Sequence, residues 1–186
     1  IAKISDEGIE LRVHPTLIPT SRLIANVNGV MNAILVQSDA VGPTLYYGAG
    51  AGAEPTASAV VADLIDVVRT ITTDPQNRVP HLAFHADSLI EVPILDMGKV
   101  ETAYYLRMSV INRPGVMAAI ATIFGNSGIS IDTILQKGSG RPNENVTIIM
   151  LTQNTREANV TKALRQVEEL NTVNGKVVRI RLEHLS

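Results

Sequence analysis

The sequence predicts an α+β protein in two unequal parts, on three observations. From Tyr104 onward, strand-like alternation and helix-like spacing follow one another in the order β-α-β-β-α-β. Upstream, short apolar segments lead through a glycine-rich loop into one long amphipathic stretch, which predicts part of a mixed α/β domain. Between the two, periodicity dissolves. With 45% hydrophobic and 18% charged residues, the 186-residue chain can build packed cores.

Gly8 to Pro19 alternates, with Ile9, Leu11 and Val13 on one face and Glu10 and Arg12 on the other. That pattern predicts a half-buried strand, stopped by Pro15 and Pro19. Asn28-Gly29 makes a turn into an apolar run, Met31 to Val36, read as a second strand. Gly42-Pro43 turns into a third, ending in Tyr46-Tyr47. A helix follows. Ala57, Val60, Val61, Leu64, Val68 and Ile71 recur at helical spacing, Thr56 is the expected N-cap, and Thr72-Thr73-Asp74-Pro75 ends the run. From Asp74 to Lys99, three prolines (Pro75, Pro80, Pro93) and scattered apolar residues read as an irregular, partly packed linker.

Tyr104, Leu106, Met108 and Val110 alternate as a strand, and Asn112 to Gly115 forms a turn. Val116, Ala119, Ile120, Ile123 and Phe124 form a helical stripe, ended by Asn126-Ser127-Gly128. Ile129 to Gln136 and Val146 to Thr152 are strands around a loose hairpin. Thr155 is read as the cap of a helix with Val160, Ala163, Leu164, Val167 and Leu170 inward, and Val177 to Leu182 is the last strand. This is the ferredoxin-like, or split βαβ, order. Two helices cover one sheet face. The other face carries Ile111, Ile149 and Leu151 and calls for a partner, most simply a second copy.

Composition excludes several classes. A net charge of −2 without a basic run argues against nucleic-acid binding, and 3% aromatics argues against base stacking. The absence of cysteine removes disulfides and thiolate chemistry and fits a reducing, cytoplasmic setting. No apolar run in the sequence is long enough to cross a bilayer. The chain opens at Ile1, directly on a strand-like pattern, which reads as a piece of a longer protein. His14, His81, His85 and His184 lack metal-ligand spacing and read as ordinary surface or packing residues. Arg179 and Arg181 alternate on the last strand and read as a solvated face.

Gly48, Gly50 and Ala53 fit G-x-G-x-x-A, a variant of the dinucleotide fingerprint. The fingerprint needs a following strand with an acidic end, and here the helix leads into a proline-containing loop. Three readings stand at this point: a self-contained nucleotide site, a plain strand-to-helix turn, or a loop closing over a cofactor held by an upstream domain.

The stretches "IELRVHPTLIP", "IANVNGVMNAILV" and "YYGAGAGAEPTASAVVADL" resemble the end of the catalytic region of bacterial homoserine dehydrogenase. "RVPHLAF" and "VETAYYLRMSVINRPGVMAAIATIFGNSGISIDTILQK" resemble its C-terminal ACT domain and the connection to it. The resemblance runs through essentially the whole chain. It implies three segments: 1–73, the end of the catalytic region; 74–100, a linker; and 101–186, the ACT regulatory domain. It also implies an oxidoreductase that uses NAD or NADP to interconvert L-homoserine and L-aspartate 4-semialdehyde, on the way to threonine and methionine. The family's Rossmann domain, its proton-transfer lysine and its acidic substrate residues precede the stretch matching Ile9 to Pro19. No catalytic residue is therefore assigned here, and this chain alone is expected to be inactive.

By the resemblance, Gly52, with Gly50 beside it, lies against the nicotinamide cofactor, where any side chain would push the cofactor off the backbone. The ACT domain implies pairing into a homodimer or larger assembly and allosteric binding of a small amino acid, threonine by analogy. The implied effector residues are Asn112, Gly115, Val116 and Met117, with Asn126 and Asp132 contributed across the pair. An open helix start suits a carboxylate, and Asp132 or Asn126 suits an ammonium. The plainer reading of the same residues is good turn and helix-stop chemistry. A different class of function is a stand-alone, non-enzymatic, amino-acid-binding dimerisation module.

Overall fold

The computed structural model describes residues 1–73, 84–138 and 141–185. Contacts divide the chain into two compact units, Ile1–Ile18 with Val92–Ser186, and Pro19–Glu91. The contacts thus divide the chain differently from the segments read along the sequence, because the first eighteen residues fold with the C-terminal part. Of the expected linker, residues 74–83 lie outside the described residues.

The larger unit is built on four antiparallel strands in the order β10-β6-β8-β7, where β6 is Glu101–Ile111, β7 is Ile131–Lys137, β8 is Asn145–Thr152 and β10 is Val173–Leu182. The helices α2 (Val116–Asn126) and α3 (Glu157–Glu168) lie between them in sequence. The β-α-β-β-α-β order and the α+β class are therefore as the pattern predicts. Alternation explains the core. Tyr104, Leu106, Met108 and Val110 of β6 and Val146, Ile148 and Met150 of β8 are buried against Val116, Ile120 and Phe124 of α2 and Val160, Ala163, Leu164 and Val167 of α3. Each large side chain buried in full contributes about 1.5–3 kcal/mol.

Local details differ from the sequence reading. Ala119 is exposed, because the buried stripe of α2 runs through Val116, Ile120 and Phe124 and leaves that flank outside. Gly115 precedes α2 with φ +88, a left-handed conformation that glycine adopts without penalty. At the other end the Ile129 N–H donates to the Phe124 carbonyl over 3.0 Å, and Gly128 has φ +70. Thr155 is not the cap of α3. It pairs with Thr102 in the two-residue strand β9 (Thr155–Arg156), and Arg156 stands at the N-cap without a side-chain bond. The Glu157 N–H instead donates to the Val100 carbonyl (2.9 Å).

The chain start joins this unit by backbone pairing. The hairpin of β1 (Ala2–Ser5) and β2 (Gly8–Leu11) bonds Pro93 and Leu95 through Ile9, at 2.9 Å each. Strand β3 (Thr16–Leu17) adds to β10 in parallel at Arg181–Leu182. The half of the first strand that is buried is the charged one: Glu10 and Arg12 are buried, while Leu11 and Val13 are exposed. The cause is a cluster of ion pairs. The Arg12 side chain, with none of its surface exposed, meets Glu10 (Nε to Oε1, 2.6 Å) and Glu183, and Lys3 reaches Glu183 over 2.9 Å.

The smaller unit contains an antiparallel hairpin of β4 (Met31–Gln37) and β5 (Pro43–Ala49), followed by α1 (Ala53–Thr72). The helix starts at Gly52, four residues before the expected Thr56 cap, and no side chain caps it. No residue of α1 is buried: Val60, Leu64, Val68 and Ile71 are all more than half exposed. The stripe that the sequence reading expects to be partly uncovered is so: none of it is buried among the described residues.

Candidate cofactor loop and effector site

The glycine loop closes the β4–β5 hairpin onto the start of α1. The Gly50 N–H donates to the Val30 carbonyl (3.3 Å), and Gly52 has φ +126, where a side chain is strained. The Thr56 N–H bonds the Gly52 carbonyl (3.2 Å), so the helical ladder begins there and the N–H groups preceding it have no partner within the helix. An unencumbered backbone at the positive end of a 20-residue helix fits close approach by a cofactor. Glu54 in the first turn opposes a phosphate and favours a less charged portion of the molecule.

The effector residues fall in two places. Gly115, Val116 and Met117 start α2, and Asn126 ends it, about 15 Å away at 1.5 Å per residue. Asn112 is committed to the fold. Its N–H donates to the Glu144 carbonyl (2.8 Å), its side-chain amide donates to the Arg141 carbonyl (3.1 Å), and its carbonyl accepts from Asn143 (3.0 Å). Val116 is buried in the core and Met117 packs against it, so at these positions the backbone is what remains to meet a ligand. Nothing lies within 4 Å of where a Gly115 side chain would start. Asp132 is exposed and borders a recess of about 290 Å³ with Gln153, Asn154 and His184 above Ala103 and Leu182. One chain does not bring Gly115 and Asp132 together.

A polar cluster around the buried Glu157 escaped the sequence reading. Arg179 is exposed and Arg181 half-buried, but neither side chain is free in solvent. Both meet Glu157 Oε1 at 2.8 Å, and the Tyr104 hydroxyl donates to Glu157 Oε2 at 2.6 Å. Burial opposes ionisation of Glu157, but bonds from Arg181 and Tyr104 and the charge of Arg179 outweigh it and hold the carboxyl below its ordinary value. Burial, aided by the Glu157 carboxylate, pushes the Tyr104 phenol up. Glu183 is likewise held low, its burial outweighed by Lys3 and Arg12. The only sequence signals were paired arginines on one strand face and an acidic residue at a helix start. Among the described residues no group of three His, Cys, Asp or Glu could hold a metal ion, and no helix is long and apolar enough to cross a membrane.

The sheet face opposite the helices carries two rows set by register. Leu135, Ile149, Arg107 and Val178 form one; Thr133, Leu151, Tyr105 and Ile180 form the other. Ile111, Ile149 and Leu151 are half-buried, whereas Leu135 is 47% and Val178 39% exposed.

A βαββαβ unit of this kind, with a left-handed glycine ahead of its first helix, is an ACT domain, and residues 104–169 match that family. Residues 1–65 match the homoserine dehydrogenase family, to which the chain belongs. The chain is 55% identical over 186 residues to a homoserine dehydrogenase of Pseudomonas aeruginosa and 46% identical over 185 residues to one of Neisseria gonorrhoeae. It covers 43% and 42% of those proteins while being matched in full itself. The crystal structure of a homoserine dehydrogenase from Thiobacillus denitrificans superposes on the whole chain with a TM-score of 0.90 at 61% identity, again over 41% of that protein. A Staphylococcus aureus homoserine dehydrogenase shares the fold at 23% identity, with a TM-score of 0.52 over 98% of this chain. The chain thus spans about two fifths of the relatives it matches.

Proposed function

We propose that this chain is the C-terminal portion of an NAD(P)-dependent homoserine dehydrogenase, the enzyme that interconverts L-homoserine and L-aspartate 4-semialdehyde. Residues 1–73 end its catalytic region, 74–100 connect, and 101–186 are its ACT regulatory domain. The observation that carries the reading is the match along the whole of this chain at 61% identity. When bound, NAD or NADP would supply the hydride acceptor or donor. The role of these residues is to shape the edge of its pocket: Gly52 keeps the backbone free of a side chain, and Gly50 holds the turn that leads to it. The exposed stripe of α1 packs on the portion of the enzyme that carries the catalytic lysine and acidic residues. The ACT domains pair through the rows containing Leu135 and Ile149. They bind threonine between Gly115 of one protomer and Asp132 of the other, making the enzyme a feedback-regulated cytoplasmic oligomer.

Gly52→Val in the full-length enzyme tests the reading. The KM for the nicotinamide cofactor rises at least about tenfold, roughly 1.4 kcal/mol of lost binding. The ACT pair stays assembled by size-exclusion chromatography. An unchanged cofactor KM refutes the role of the loop, and robust homoserine oxidation by residues 1–186 alone refutes the division of labour.

A further inference from the structure

The three glycines of the loop have different surroundings. Gly48 has nothing within 4 Å of its missing side chain, and Gly52 is fixed by its φ of +126. Gly50 has neither feature. A Cβ there would fall 2.2 Å from Nδ2 and 2.9 Å from Cγ of Asn32, the one polar residue between Met31 and Val36 of β4. Asn32 sits across the hairpin from Gly48, and its Nδ2 donates to the Val30 carbonyl (3.3 Å). The Gly50 N–H donates to that same carbonyl, also over 3.3 Å. The amide of Asn32 and the backbone of Gly50 therefore share one anchor and lie against each other.

Building on the cofactor-loop reading, we propose that Asn32 is a positioning residue for the loop. Gly50 is glycine to admit the Asn32 amide, and Gly52 is glycine to admit the cofactor. By filling the space beside Gly50 and sharing the Val30 carbonyl that the Gly50 N–H binds, Asn32 fixes where the backbone of residues 50–52 stands before α1 begins. It acts through Gly50 and takes no part in the chemistry.

The test is a set of variants of the full-length enzyme: Asn32→Ala, Gly50→Ala, the double variant, and Gly52→Val. Asn32→Ala and Gly50→Ala each raise the cofactor KM about 3- to 10-fold, the span of one ordinary hydrogen bond, with kcat and the homoserine KM nearly unchanged. The double variant is no worse than the more affected single one, because both break the same contact. Two results overturn the proposal: an Asn32→Ala enzyme with an unaltered cofactor KM, or a double variant whose effect is the product of the singles. A lowered melting temperature with no separate change in cofactor KM also overturns it, since that marks a purely structural residue. A normal Gly52→Val enzyme instead fails the cofactor-loop reading itself, and this proposal with it.

Discussion

Arg12→Met removes the one cation that touches both Glu10 and Glu183, and its consequence follows from the geometry. The guanidinium has none of its surface exposed, and the side chains of Glu10 and Glu183 are only 10% and 8% exposed. Arg12 Nε and Glu10 Oε1 lie 2.6 Å apart without forming a hydrogen bond, so their contact is one of charge. Methionine fills similar volume but leaves the buried Glu10 carboxylate without its cation and Glu183 with Lys3 alone. Breaking a buried pair from one side costs about 3–5 kcal/mol. Lys3, half exposed, still neutralises Glu183 across 2.9 Å, which points to the lower end, about 3 kcal/mol. With a urea dependence of roughly 1–3 kcal/mol per molar, the unfolding midpoint of the larger unit falls by roughly 1–3 M. Hydrogen exchange at Ile9 and Glu183, whose amides bond Pro93 and Leu17, reads the same loosening locally. The triple variant Glu10→Gln, Arg12→Met, Glu183→Gln recovers most of the loss, because it leaves no buried unpaired charge; Lys3, half exposed, is left to solvent. A loss below about 1 kcal/mol for Arg12→Met, or a triple variant weaker than the single one, refutes the account.

Acid should destabilise the protein through Glu157 and Glu183. Both are held below their ordinary value of 4.5 in the folded chain, so the unfolded chain takes up protons first as pH falls. Their contribution is complete well above that value and is lost as pH drops through it toward the folded values. Urea midpoints measured at neutral pH and near pH 4 should show the decline, which Glu157→Gln should flatten; a level profile refutes the linkage. Leu135→Lys places a charge on the exposed sheet row and, on the proposed pairing, should convert the full-length enzyme to a smaller species in sedimentation. It should also abolish the calorimetric heat of threonine binding, because the proposed site is built across the pair. Unaltered size, or threonine heat retained by a separated protomer, counts against that interface.

The alternation of Tyr104, Leu106, Met108 and Val110 was legible because one face meets helices and the other does not, so polarity and burial coincide along the strand. The α2 and α3 stripes were legible for the same reason, apart from Ala119, whose small side chain fits either side of a boundary. The first strand was not. Its period of two was visible, but which half turns inward depended on Glu183, 171 positions away, which offers Arg12 a partner. The pairing of Arg179 and Arg181 with Glu157 was hidden likewise, since it appears only once the carboxylate at the start of α3 is placed beside them. Thr155 carries the right residue type for a cap but is taken by pairing with Thr102, a tertiary contact that local propensity does not contain. At the candidate sites, the glycines at 52 and 115 were legible as positions where the backbone needs glycine. The reason for Gly50 was not, because it rests on the side chain of Asn32 from another strand.

The pairing of Thr16–Leu17 with Arg181–Leu182 has a practical consequence for anyone transplanting this ACT unit into another protein. A graft cut at residue 101 leaves behind the strand that borders β10 and strips Glu183 of both its cations. The transferable part is a discontinuous cassette, residues 1–18 together with 92–186, and a chimera must rejoin its two pieces around whatever host sequence replaces the intervening stretch.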